Sequence, residues 1–211
     1  MKKIICLALA VLMLALTVVS CNKKEAPAFE DIDLSTIDNL DDVKVTEDET
    51  DYVLITVKGY GKILVRLFPD VAPETVANFK KLVSEDFYDG LIFHRVIENF
   101  MIQGGDPNGD GTGGSPDKIK GEFTNNGFEN NLKHVRGVVS MARRGDDMDS
   151  ASSQFFICQK AYAYGDGDYA AFGFAAYGMD VVDKIASVRT NASNKPYNKV
   201  VIEAIEFATV G

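Results

Sequence analysis

Between Gly90 and Phe174 the sequence breaks into short apolar runs set apart by glycines: "LIFHRVI", "FMIQGG", "GVVSMAR", "SQFFIC" and "AAFGF". Each is strand-sized and rich in β-branched or aromatic residues, the composition that suits a pleated, buried surface. Upstream, "YVLITVKGYGKILVRLF" places two β-branched runs around Lys58-Gly59-Tyr60-Gly61, a hairpin signal, and "VVIEAIEF" supplies a final strand. Only two stretches keep a helical period. In "APETVANFKKLVSED", Pro73 suits a first turn, Glu74 the positive helix end, and Val76, Phe79 and Val83 share one face. In "GMDVVDKIASV", Met179, Val182 and Ile185 or Ala186 line up. Many short strands with two helices predict a mainly β chain, a barrel with capped ends. No internal repeat is visible.

The 211 residues are 46% hydrophobic, enough for one domain with a real core plus accessories. The net charge of −9 does not mark a basic partner, because of where it lies. From Asn22 to Asp51 eleven acids face three lysines, whereas from Tyr52 onward twenty acids face seventeen Lys and Arg. The folded part is therefore nearly neutral, and it carries no basic stripe for nucleic acid. The acidic stretch, "NKKEAPAFEDIDLSTIDNLDDVKVTEDETD", has no sustained apolar face and reads as a loosely ordered tether, roughly 30 Å long as a flexible coil. A short helix around "LSTIDNLDDV" is the alternative.

Ahead of it, Lys2 and Lys3 precede an apolar run from Ile4 to Val19, shorter than the ~20 residues of a spanning helix. This is the shape of a secretory signal, here 1–20. Val18-Val19-Ser20-Cys21 resembles the bacterial lipobox, which implies that Cys21 is lipidated and anchors the chain to a membrane. The resulting division is 1–20 signal peptide, 21–50 lipidated cysteine and acidic tether, and 51–211 folded domain. The expected location is the cell envelope, the outer membrane favoured because Asn22 is not Asp. Cys158 remains alone in "FFIC", so no internal disulfide is expected and its thiol should be buried and inert.

The stretch "FHRVIENFMIQGGDPNGDGTGG" surrounds Arg95 with aromatics, a Met and a Gln, and offers no nucleophile–base pair. Together with "LKHVRGVVSMAR", "SQFFIC" and "AAFG", in that order over about Tyr52 to Phe207, it resembles the cyclophilin family of peptidyl-prolyl cis–trans isomerases. The resemblance implies an eight-stranded antiparallel barrel capped by two α-helices. It implies rotation about Xaa–Pro bonds in proline-containing polypeptides, with no covalent intermediate, cofactor or metal; joined to the signal and lipobox reading, it makes the expected role that of a monomer assisting the folding of exported proteins. Such chemistry needs no base. The barrier of ~18–20 kcal/mol comes from amide resonance, and the twisted imide nitrogen becomes an acceptor that a fixed cationic donor can meet.

Position by position, the resemblance makes Arg95 the catalytic donor, steadied by Gln103. Phe100, Met101 and Phe156 form the proline slot, and Gly111 allows close approach of the substrate backbone. Ala142 and Arg143 form an extended wall with Gln154 beside it. Counting without gaps from Cys158 puts Tyr164 and Tyr169 at the rim, where many eukaryotic members have Trp and His. Gly165 replaces a usual apolar residue, implying a thinner wall, and Arg143-Arg144 replaces a more neutral pair; the missing Trp and the missing apolar wall put tight cyclosporin binding in doubt. A module that binds the same peptides without turnover is the rival reading. His94 and His134 read as structural, having no nucleophile to serve. Asp106, Asn108, Asp110 and Gly111 imitate the start of a calcium loop, but Asp117 stands where the bidentate Glu should be.

Overall fold

The computed structural model describes residues 26–211, so the signal-peptide reading and the lipidation reading at Cys21 lie outside the described residues. Nine strands form one antiparallel sheet: β1 (Val43–Val45), β2 (Tyr52–Val57), β3 (Gly61–Leu67), β4 (Arg95–Ile97), β5 (Met101–Gly104), β6 (Val138–Met141), β7 (Phe155–Cys158), β8 (Ala171–Tyr177) and β9 (Ile202–Val210). Their order is β1-β9-β2-β3-β8-β6-β7-β5-β4. The predicted hairpin joins β2 to β3, with Val57 opposite Gly61 and Gly59 at φ 77°, a left-handed value that favours glycine.

The sheet curls until its far edge meets its beginning. The approach to β4 bonds the approach to β9: the Phe93 amide donates to the Val200 carbonyl (3.0 Å) and the Ile202 amide to the Leu91 carbonyl (2.8 Å). That contact occupies only the first part of the free edge of β9. The rest, Ala208 to Val210, is taken by β1. The eight expected strands are thus β2 to β9, and the ninth shields an edge that would otherwise expose unpaired backbone.

The two helices fall where the 3.6-residue period places them. α1 (Pro73–Ser84) starts with proline and buries Val76, Phe79, Leu82 and Val83. Its first free amides are satisfied from a distant loop, as the buried Glu122 carboxylate accepts from Glu74 N (3.0 Å) and Thr75 N (2.7 Å). α2 (Met179–Ala186) buries Val181, Val182, Ile185 and Ala186. Inside the barrel, Phe79 meets Tyr88, Phe155 and Phe172 at ring-centroid distances of 5.1, 5.5 and 5.1 Å. Each such buried side chain contributes roughly 1.5–3 kcal/mol. Among the described residues no helix is long and apolar enough to cross a membrane.

The acidic segment differs from the tether its composition predicts. From Ala26 it is laid along the outside of the barrel. Phe29, Ile32 and Leu34 pack on Phe68, Val71, Leu132, Val138 and Phe174, while Ile37, Leu40 and Val43 cover Leu54, Leu64, Ala176 and Ala208. Polar pins fix it between these anchors: the Ile37 amide donates to Ala176 O (2.9 Å), and the Thr50 hydroxyl to Ala208 O (2.7 Å). Lys80 reaches Asp51 (2.8 Å) and Glu49 (3.3 Å), and Arg66 pairs with Asp33. The alternative helix does not form; the one helical turn there is Phe29–Asp31. An apolar outer surface on β2, β3, β8 and β9 needs cover, and a few spaced apolar residues suffice to provide it.

Candidate active site

Antiparallel register assembles the site. Arg95 on β4 lies opposite Gln103 on β5, Gln103 opposite Phe156 on β7, and Phe156 opposite Ser140 on β6. Because strand side chains alternate between faces, this row of four points out of the barrel together. One step along, Met101 faces Cys158 on the same side. Between them, Val96, Ile102, Phe155 and Ile157 point inward to the core. The exterior of these strands is therefore apolar too: Met101, Phe156 and Cys158 are buried under Ile97, Phe100, Ala142, Tyr162 and Tyr169.

A slot of about 210 Å³ opens on this face, lined by Arg95, Phe100, Met101, Gln103, Ala142, Arg143, Phe156, Tyr162 and Tyr169. Its polar side is a relay. Arg95 Nη1 donates to Gln103 Oε1 (3.1 Å), Gln103 Nε2 to Gln154 Oε1 (2.9 Å), and Gln154 Nε2 to the carbonyls of Gly111 (3.1 Å) and Gly113 (2.7 Å). Each amide orients the one before it, so the guanidinium is aimed before any ligand arrives. It also lies 6.0 Å from the Phe100 ring centroid, a cation–π distance. A second recess of about 530 Å³ shares Gln103, Ala142 and Arg143 with the slot and continues past Gly111 to Lys118, Arg144 and Ser152. Together they make a groove longer than one residue.

The apolar wall has its own support. Phe156 is met edge-on by Tyr169 (5.8 Å) and stacked on by His134 (6.0 Å, 15° between planes). His134 is pinned at both ring nitrogens, Nδ1 to Asp166 Oδ1 and Nε2 to Ser140 Oγ, each 3.0 Å. Burial pulls its pKa down against the pull of Asp166. His94 is buried with neither ring nitrogen paired among the described residues, and burial lowers its pKa as well. Both rings are held as neutral structural groups. Cys158 lies behind Met101 and Phe156, its thiol pushed up to about 12 by burial and then by Asp166, so it is inert at neutral pH.

Most residues singled out from sequence come together, and three places differ. Tyr164 is 88% exposed and does not line the slot. Tyr162 lines it, its ring edge-on to Phe100 at 4.7 Å. Gapless counting locates a residue along the chain, but here the short turn Ala163–Gly165 directs Tyr164 outward. Gly165 does not leave a thin wall, because the Tyr162 ring covers it. Arg143 does not present its charge to the groove: its side chain is 9% exposed, between the Phe123 (5.1 Å) and Tyr169 (5.0 Å) rings, with Nε donating to Asp168 O (2.8 Å). It props Tyr169. His134, read from sequence as structural, takes that role under Phe156, whereas its partner Asp166 left no sequence signal because it acts through the fold.

The glycine-rich loop is organised by Asp106. Its carboxylate accepts from the amides of Asn108 (2.8 Å), Asp110 (2.9 Å) and Gly111 (2.5 Å). Burial opposes ionisation, but these donors hold its pKa below the ordinary value. The calcium-loop likeness is thus an Asp folding its own loop. Among the described residues no group of three or more His, Cys, Asp or Glu is placed to hold a metal ion.

Comparison with known proteins agrees with this geometry. Residues 52–207 match the family model described as "Cyclophilin type peptidyl-prolyl cis-trans isomerase/CLD". The peptidyl-prolyl cis-trans isomerase ppi1 of Schizosaccharomyces pombe is 40% identical over 147 residues, 69% of this chain and 92% of that protein. A putative bifunctional phosphatase/peptidyl-prolyl cis-trans isomerase of Streptococcus pyogenes is 40% identical over 182 residues, and the chain spans only 38% of its length. Among solved structures, the cyclophilin type isomerase of Cryptosporidium parvum, crystallised in the presence of the dipeptide Ala-Pro, superposes with a TM-score of 0.68 at 31% identity, covering 74% of this chain and 98% of that one.

Proposed function

The chain belongs to the cyclophilin-type peptidyl-prolyl cis–trans isomerase family, and on that premise we propose that it catalyses rotation about Xaa–Pro bonds of polypeptides with Arg95 as the donor. The observation that carries this reading is a guanidinium held by Gln103 at the mouth of an apolar slot. Planar imide nitrogen is not an acceptor. As the C–N bond twists, its lone pair leaves conjugation and can accept from Arg95, so the contact is made in the transition state and not before it. The twisted imide is less polar than the planar one, and Phe100, Met101 and Phe156 accommodate it along with the ring. No bond to the protein forms and no proton is transferred, so no covalent intermediate and no cofactor enter the cycle.

A hydrogen bond from a charged donor is worth about 1.5–3 kcal/mol, or roughly 10–100-fold in rate. The rest of the acceleration comes from aiming that donor in advance in a site shielded from water. Arg95→Ala should lower kcat/KM for a prolyl peptide by at least about tenfold while leaving the melting temperature unchanged. Equal rates for variant and wild type would refute the assignment, and leave peptide binding without turnover as the better description of the groove.

The same reading takes proline-containing segments of exported proteins as clients, a monomer as the working unit, and the cell envelope as the location. Its support is the sequence ahead of the domain: a basic start, an apolar run and Cys21 in a lipobox-like setting. Mass spectrometry of the mature N-terminus should find a lipid-modified Cys21, and an unmodified chain beginning at Met1 would refute the anchor.

A further inference from the structure

Gly165 is buried, yet its backbone is not in the left-handed region that demands glycine. Its lack of a side chain has another cause. A Cβ built there would stand 2.6 Å from Cδ1 and 2.8 Å from Cε1 of Tyr162, with His134 Cγ at 3.2 Å. The Tyr162 ring thus lies directly on the glycine. Its backbone is pinned on both sides, the Tyr162 amide donating to His134 O (2.7 Å) and its carbonyl accepting from Gly165 N (2.9 Å). From that seat the ring reaches Phe100 at 4.7 Å and Tyr169 at 6.4 Å, bridging the two ends of the slot.

We propose that Tyr162 is a specificity-determining residue of this slot, a wall seated on Gly165 that closes it around the proline ring. The inference rests on the isomerase reading of the slot. Tyr162 and Gly165 act as a pair: the glycine leaves room, and the tyrosine, three positions earlier, fills it. The wall acts on how well the ring is held in every state, so it bears on KM far more than on kcat. Tyr164, exposed to solvent, does not line the slot and, among the rings of the described residues, meets only that of Tyr162, at 6.5 Å.

Five variants test this, two of them by an optical property. Tyr162→Ala should raise KM for a prolyl peptide on the order of tenfold, the loss expected when a large part of a ring contact is removed. Its kcat should stay within about twofold of wild type, since uniform binding is what is lost. Tyr162→Phe should restore the wild-type KM, because the ring and not the hydroxyl forms the wall. Gly165→Ala should reproduce the Tyr162→Ala phenotype by displacing the ring. The chain contains no Trp, so Tyr162→Trp and Tyr164→Trp each create a single tryptophan, excited selectively at wavelengths where tyrosine does not absorb. An Ala-Pro peptide at saturation should shift the emission of the first and leave the second unchanged. If wild type isomerises while Tyr162→Ala keeps a normal KM, or if Tyr164→Trp responds and Tyr162→Trp does not, the wall is misassigned and the proposed function stands. If wild type neither binds nor isomerises the peptide, the proposed function fails and takes this inference with it.

Discussion

Two outer faces of the barrel are alike in composition and opposite in fate. On β2, β3, β8 and β9 the exterior carries Leu54, Leu64, Ala176 and Ala208; on β5 and β7 it carries Met101, Phe156 and Cys158. Both sets alternate with core residues, so both strand groups are apolar on their two sides. The first face is covered permanently by Ile37, Leu40 and Val43 of the chain's own N-terminal segment. The second is buried under Ile97, Phe100, Ala142, Tyr162 and Tyr169, side chains that leave the slot open between them. A barrel whose exterior is apolar must find cover. One face takes it from its own chain and contributes stability, while the other is left for a visiting peptide.

Equal truncations on the two faces should separate these roles. Leu64→Ala removes a fully buried side chain under the strap, and Phe156→Ala removes the floor of the slot. Each should cost about 2–5 kcal/mol of unfolding free energy, some 4–20 °C in melting temperature for a chain of this size. At a temperature where both are folded, Leu64→Ala should retain kcat/KM and Phe156→Ala should lose it by well over about tenfold, the binding of a proline ring being roughly a kcal/mol-scale apolar contact at each wall. Loss of activity in both variants would mean that the two faces are mechanically coupled, and the comparison would fail.

The difference between the faces also explains what could be read in the sequence. The eight barrel strands were legible because β-branched and aromatic residues recur in strand-length runs, as in "YVLITV" and "FFIC". Arg95, Gln103 and Phe156 were legible as a set only by resemblance, and the register then shows why they converge. The strap was not legible. Its anchors Phe29, Ile32, Leu34, Ile37, Leu40 and Val43 follow neither a helical nor a strand period and sit among acids, because the segment touches the barrel at spaced points instead of burying a face. Nor was Tyr162, since counting along a chain does not say which way a side chain turns. The signal that was available was Gly165, an absence of volume beside a tyrosine.

A pH series should sharpen the comparison further. The slot face rests on His134, and His94 lies close by; burial lowers the pKa of both in the folded protein, from an ordinary value of 6.5. Below 6.5 the unfolded chain takes up protons that the folded one resists, so the stability is fully present above that pH and is lost as pH falls. Urea unfolding at pH 7.5 and 5.5 should show this decline, and His134→Gln should flatten part of it, His94 supplying the remainder. Parallel slopes for variant and wild type would show that the groove's histidine is not the group that titrates.

On the strap the sign of the charge is reversed and the effect is smaller. Asp33 has its pKa lowered from 3.8 to about 2, first by hydrogen bonds from the Ser35 hydroxyl and amide and then by Arg66. A folded carboxyl that is the stronger acid stabilises above the unfolded value of 3.8 and ceases to do so as pH falls through about 2. Asp33 is half exposed, so solvent screens the pair and its worth is only some tenths of a kcal/mol to about 1. Asp33→Asn should therefore cost that much at pH 7, with wild type and variant converging as pH falls from 3.8 toward about 2. Its kcat/KM should equal wild type, because the strap end it pins, at Ile32 and Leu34, covers the barrel away from the slot. A change in turnover without a change in stability would show that even this weak pin is felt across the 129–136 segment, where Leu132 packs under the strap and His134 stacks on Phe156.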